Sequence, residues 1–151
     1  MKNIGKLFII LLAIASYIYS QEIKFEPKIV ILDSVKWSSP ENGIQTSLLY
    51  GDPAKAGYYI MLYKISKGIK LFPHYHSENR SVMIVSGKFF YSYGSGFDEN
   101  KMNELTSGTF FTEPSHQPHF AWTKNEEVVL QVNGFGPTGT TFINASGVNK
   151  K

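Results

Sequence analysis

From residue 21 onward, short apolar stretches alternate with clusters of Gly, Pro, Asn and Ser, and no 3.6-residue repeat is sustained. That pattern predicts strands and turns rather than helices. Residues 28–37 carry an Ile-Val-Ile-Leu run followed by alternation, which predicts a first strand. Residues 38–43 form a turn cluster rich in Ser, Pro, Asn and Gly. Ile44–Tyr50 predicts a second strand, closed by Gly51-Asp52-Pro53, and residues 58–66 predict a third. A turn at Lys67-Gly68 leads into a strand ending at His76. Residues 80–86 alternate Val82 and Ile84 against Ser81, Met83 and Val85. Gly87 predicts a tight turn into residues 89–93. Residues 94–105 read as a polar loop with a short helical turn near Asp98. Residues 109–112, 119–123, 128–133 and 140–144 complete the series, and 146–151 reads as a mobile tail. Many short strands at this spacing imply an all-β sandwich or barrel.

The first twenty residues follow a different pattern. Lys2 and Lys6 precede an apolar run from Leu7 to Tyr19, and Ser20 is a small residue suited to cleavage before Gln21. This is the layout of a signal peptide, and the run is shorter than the roughly 20 residues of a membrane-spanning helix. The expected division is therefore a signal peptide at 1–20, an N-terminal strand and turn segment at 21–43, a barrel at 44–145 and a tail at 146–151. The expected location is secreted or periplasmic, with no stable membrane insertion after cleavage. Composition changes this picture little: 42% hydrophobic, 15% aromatic and 18% charged residues describe one globular domain of 151 residues. Removing Lys2 and Lys6 leaves 13 basic against 12 acidic residues, so the net charge falls from +3 to +1. No basic stripe remains that would favour nucleic acid. The chain has no cysteine, which excludes disulfides, thiol nucleophiles and thiolate metal sites.

The four histidines fall in two pairs, His74 with His76 and His116 with His119. In a strand, residues i and i+2 point to one face, so His74 and His76 aim their imidazoles at one spot. A third ligand must come from a distant strand, and His119 is the natural supplier. Neutral imidazole is the commonest protein ligand for transition metals.

These residues carry a resemblance to the cupin superfamily. Its first motif is a glycine, five residues, His-x-His, three or four residues, a glutamate, six residues and a glycine. Gly68, His74, His76 and Gly87 match it. Its second motif is matched at Gly108, Pro114 and His119. The chain also resembles a group of small single-domain cupins in Gly51-Asp52-Pro53, Phe97-Asp98-Glu99, the stretch 118–123 and the stretch 131–142. The resemblance runs from Ile44 to Asn144. It implies a double-stranded β-helix, the jelly-roll barrel, with a metal inside. Three positions depart from the pattern: Arg80 stands at the motif glutamate, His116 at a glycine and Thr123 at an asparagine.

The ligand set so implied is His74, His76 and His119. Three neutral imidazoles suit Zn, Fe, Ni or Cu, with Mn disfavoured by the missing carboxylate. Glu78, two positions early, could turn inward. Arg80 is expected to point away from the metal or to pair with an acid. Two unit charges ~4 Å apart interact by about 4 kcal/mol at an effective dielectric near 20, so a guanidinium beside a divalent ion needs an anion between them. His116 reads as a turn residue more readily than as a fourth ligand, and Gln131 as barrel wall or hydrogen-bond donor to a ligand. Phe72, Phe89, Tyr91, Phe120 and Trp122 are expected to pack the barrel. The function so implied is metal-dependent chemistry on a small organic molecule, of oxygenase, isomerase or hydrolase type. The alternatives are a non-catalytic ligand-binding or sensing cupin and a structural exported domain. Pairing as a homodimer follows from the resemblance alone.

Overall fold

The computed structural model describes residues 25–143, together with the backbone of 149–150. The expected signal peptide lies outside the described residues. Among the described residues eleven strands follow one another: β1 (Ile44–Tyr50), β2 (Gly57–Ile65), β3 (Lys70–His76), β4 (Arg80–Ser86), β5 (Lys88–Tyr93), β6 (Asn103–Thr106), β7 (Phe110–Glu113), β8 (His119–Trp122), β9 (Val128–Gly136), β10 (Thr140–Ile143) and β11 (Asn149–Lys150). Two antiparallel sheets result, in the orders β1-β2-β9-β4-β7 and β11-β10-β3-β8-β5-β6. This is the jelly roll that the cupin resemblance implies, within the all-β class that the strand pattern predicts. No helix among the described residues is long and apolar enough to cross a membrane.

The sheets face each other because each strand alternates. In β4, Arg80, Val82 and Ile84 are buried while Met83 is exposed, and in β9 Val128, Leu130 and Val132 turn the same way. Val82, Ile84, Val128, Leu130 and Val132 meet Phe89, Tyr91 and Ala121 of the opposite sheet in one apolar cluster. Gly87 joins β4 to β5 at a φ of 85°, and a Cβ there would stand 2.3 Å from the Glu127 carbonyl oxygen. Only glycine meets both demands.

Residues 28–37 do not form the expected strand. A single 3₁₀ turn, Leu32–Ser34, occupies the segment, and Ile29 is 94% exposed. The segment runs beside β1 and is held at separate points: Phe25 stacks on Tyr50, Lys28 Nζ donates to the Leu49 carbonyl, and Ser38 N donates to the Thr46 carbonyl. The expected polar loop at 94–105 ends in β6, which pairs with β5. Asp98 accepts from Asn100 N and caps the 3₁₀ turn Glu99–Lys101, the helical turn expected there. Within the tail, Asn149–Lys150 pairs with β10.

Candidate metal centre

The centre is built on β3, which runs between β10 and β8. His74 lies directly opposite His119 of β8 on one side and Phe142 of β10 on the other, and His76 lies opposite Thr140. A register shift between Leu71 and His74 accommodates Pro73. The three imidazoles are buried at 7%, 4% and 1% exposure for His74, His76 and His119. Each offers a nitrogen within 4.8 Å of the others. Together they form a group that could hold a metal ion.

The backbone sets which nitrogen faces inward. Nδ1 of His74 lies 2.7 Å from the Phe72 carbonyl oxygen, and Nδ1 of His119 lies 3.1 Å from that of Gln117. A carbonyl only accepts, so both Nδ1 atoms carry the proton and both Nε2 atoms present lone pairs to the centre. His76 Nδ1 has a mixed surrounding: the Gly139 carbonyl at 3.2 Å, Thr140 Oγ1 at 3.1 Å and Arg80 Nη1 at 2.9 Å. The carbonyl favours the same tautomer as in the other two rings, whereas the guanidinium favours the opposite one. Were His76 to hold a metal through Nε2, its Nδ1 would carry the proton and donate to the Gly139 carbonyl.

Burial keeps all three rings neutral. It pushes His74 down to about 4, helped by the neighbouring His119, and pushes His119 down to about 4. His76 falls to about 2, through burial and then the positive charge of Arg80. Neutral rings are the form that binds metal.

Arg80 does not point away. It is 9% exposed and sits inside the barrel, because position 80 shares the inward face of β4 with Val82 and Ile84. Its partner is Glu113 at the end of β7, opposite it across the β4–β7 ladder, with Nε 3.1 Å from Oε2. The guanidinium carbon lies 5.8 Å from the Tyr63 ring centroid. Glu113 is itself 6% exposed, and burial outweighs the pull of Arg80 and holds its carboxyl above the ordinary range. Its Oε1 lies 3.4 Å from His119 Nε2 and its Oε2 lies 3.6 Å from His76 Nε2.

Sequence reasoning missed Glu113. One signal was available: a buried cation beside metal ligands demands an anion, and Glu113 shares the parity of half-buried Phe111 in β7.

The remaining candidates lie elsewhere. Glu78 accepts hydrogen bonds from Tyr59 Oη at 2.7 Å, Ser77 Oγ at 2.9 Å and the Thr138 hydroxyl. Burial alone would raise its carboxyl, but these donors outweigh it and hold the group below the ordinary range. It ties the β3–β4 turn to β2 and to the β9–β10 turn. His116 is exposed, takes the positive φ of 57° expected at a former glycine, and packs its ring on Tyr75. Gln131 alternates outward from Leu130 and Val132 and donates to Asn133. Phe72 is 57% exposed, outside the barrel it was expected to pack.

Above the imidazoles opens a cavity of about 230 Å³, walled by Ile65, Leu71, Phe89, Tyr91, Leu130 and Phe142. Its polar wall is the three histidines with Arg80 and Glu113. A small, mostly apolar pocket with a few convergent polar groups is the form of a small-molecule site. His119 Nε2 and Glu113 Oε2 are both buried without a hydrogen-bond partner. Orphaned acceptors aimed into one space fit a bound cation.

A family model described as the ChrR cupin-like domain matches residues 26–138. No curated protein matches the chain in sequence. Among solved structures, an RmlC-like cupin from Shewanella frigidimarina is 17% identical, with 73% of this chain and 91% of that chain covered at a TM-score of 0.57. KdgF from Halomonas sp. is 21% identical, with 74% and 96% covered at 0.56. The polyketide cyclase RemF from Streptomyces resistomycificus is 18% identical, with 80% and 89% covered at 0.61. These likenesses concern the fold.

Proposed function

The chain belongs to the ChrR cupin-like family, and on that premise we propose that it is an exported cupin that holds one divalent transition metal through His74, His76 and His119 and acts there on a small organic molecule. One observation carries the reading: three buried imidazoles converge at the wall of an apolar cavity, two of them locked with Nε2 lone pairs facing inward. A nitrogen donor set suits Zn, Fe, Ni or Cu better than Mg or Ca, and Mn less well. Such a metal supplies Lewis acidity and a means of activating water or oxygen.

The chain's own residues do the rest. The Phe72 and Gln117 carbonyls fix the two ring tautomers. Phe89, Tyr91 and Leu130 exclude bulk water. Arg80 contributes a fixed positive charge beside the site. Oxygenase, isomerase and hydrolase chemistry all fit this set. That a polyketide cyclase shares the fold supports a catalytic reading.

A second reading has its own support. The Arg80–Glu113 pair already contacts two of the imidazoles, so the polar cluster could persist without metal in a ligand-binding or sensing cupin. Metal analysis of the purified mature chain, with His76→Ala and His119→Ala beside it, separates the two. A single equivalent in the wild type and loss in both variants supports the metal centre. A metal-free wild type overturns it. Export is tested by fractionating cells that express the chain with and without residues 1–20, and the homodimer by sedimentation of the mature chain.

A further inference from the structure

Glu113 holds a position that pairing with Arg80 does not explain. A carboxylate serving only as a counter-ion would turn both oxygens to the guanidinium, since bidentate contact is the stronger arrangement. Instead only Oε2 approaches the guanidinium, and it also lies 3.6 Å from His76 Nε2, while Oε1 turns away to face His119 Nε2 at 3.4 Å. The 3.1 Å approach of Arg80 Nε lacks hydrogen-bond geometry, and both Nε and Oε2 remain without a partner. His119 donates its Nδ1 proton to the Gln117 carbonyl, so its Nε2 presents a lone pair to an acceptor oxygen. Two facing lone pairs at that distance repel unless a cation lies between them. A shared proton would draw the atoms to about 2.7–2.9 Å. Atoms sharing a tetrahedral metal with bonds of about 2.0–2.1 Å stand roughly 3.3–3.4 Å apart.

We propose that Glu113 is a fourth, carboxylate ligand of the metal held by His74, His76 and His119, with Arg80 as its fixed counter-charge; this rests on the metal reading above. The carboxylate missing at position 80 is thereby supplied one strand away. Positions 80 and 113 are direct partners on the β4–β7 ladder, so exchanging strands moves a carboxylate by only one strand spacing. The exchange also meets the electrostatic demand, because it places an anion between the guanidinium and the ion. The centre then draws on both sheets, with histidines from β3 and β8 and the glutamate from β7.

The test measures Zn affinity of the mature chain by competition with a chelator, together with the visible spectrum of its Co(II)-loaded form. Glu113→Gln is expected to weaken Zn binding by about 100-fold, the upper end of the loss on removing even an outer-shell partner. The Co(II) bands are expected to shift, reporting an altered ligand set. Should this variant leave Arg80 unpaired and fail to fold, the double variant Arg80→Gln with Glu113→Gln buries no unmatched charge and carries the same expectation. An unchanged affinity and an unchanged Co(II) spectrum in a folded variant overturn the ligand role while leaving the three-histidine centre standing. A wild-type chain that binds neither metal overturns both.

Discussion

A neutral imidazole buried among other imidazoles resists protonation, and this makes the histidine cluster a source of pH-dependent stability in the metal-free chain. The ordinary histidine value is 6.5, and His74 and His119 are both pushed down to about 4. The unfolded chain therefore binds more protons than the folded one between these limits. The stabilisation is complete above about pH 6.5 and is lost as pH falls towards 4. Either ring alone would contribute about 3 kcal/mol over that span, but the two shifts are coupled through the His74–His119 repulsion and do not add. The urea midpoint of the metal-free chain is expected to fall steadily between pH 6.5 and 5, above the titration of ordinary carboxylates. A flat profile there would contradict the burial of the rings. The histidines were legible in the sequence because strand periodicity and motif spacing both constrain them. Arg80 was legible in part: its parity with Val82 and Ile84 places it inside, but the cost of a cation near a metal argued it outward. The structure resolves the conflict with Glu113, some thirty residues away. Which strand lies beside which is a property of topology, and no local pattern announces it.

Strands were read well where both faces are constrained. β1 spans Ile44–Tyr50, as the pattern predicts, because turn residues bound it and β2 covers its length. Residues 28–37 show that an apolar run alone does not make a strand: the 3₁₀ turn Leu32–Ser34 interrupts it, and Ile29 and Ile31 stay exposed beside β1. β6 escapes the pattern because three of its four residues are polar and only Leu105 reaches the core; an edge strand needs no more to complete a ladder. Thr123, which stands at the motif's asparagine, shows how one hydroxyl can terminate two elements. It is fully buried, accepts from Ile69 N at 2.9 Å and donates to the Ser66 carbonyl at 2.7 Å. It thus joins the end of β8 to the β2–β3 turn. Thr123→Val preserves shape but strands a buried donor and acceptor, and is expected to cost about 1–3 kcal/mol. Chemical denaturation checks this, and a loss within experimental error would mean that water replaces the hydroxyl.

Across the whole molecule, a metal held by β3, β8 and β7 would cross-link the two sheets. A ligand that binds only the folded chain stabilises it by about 2.7 kcal/mol at one hundred times its Kd. For a domain of this size that is a rise in Tm on the order of 10 °C, expected with Zn in the wild type and absent in His119→Ala. The distribution of the gain is more informative than its size. Among the described residues β7 ends the five-stranded sheet and pairs with β4 alone, so its amides should open at lower cost than those of central strands. If the histidines alone hold the ion, Zn should slow hydrogen exchange in β3 and β8 and leave β7 little changed. If Glu113 is a ligand, protection should extend through Phe110–Glu113, and Glu113→Gln should remove it there while sparing β3 and β8. Protection confined to β3 and β8 in the wild type would show that the ion fastens one sheet to itself rather than to the other.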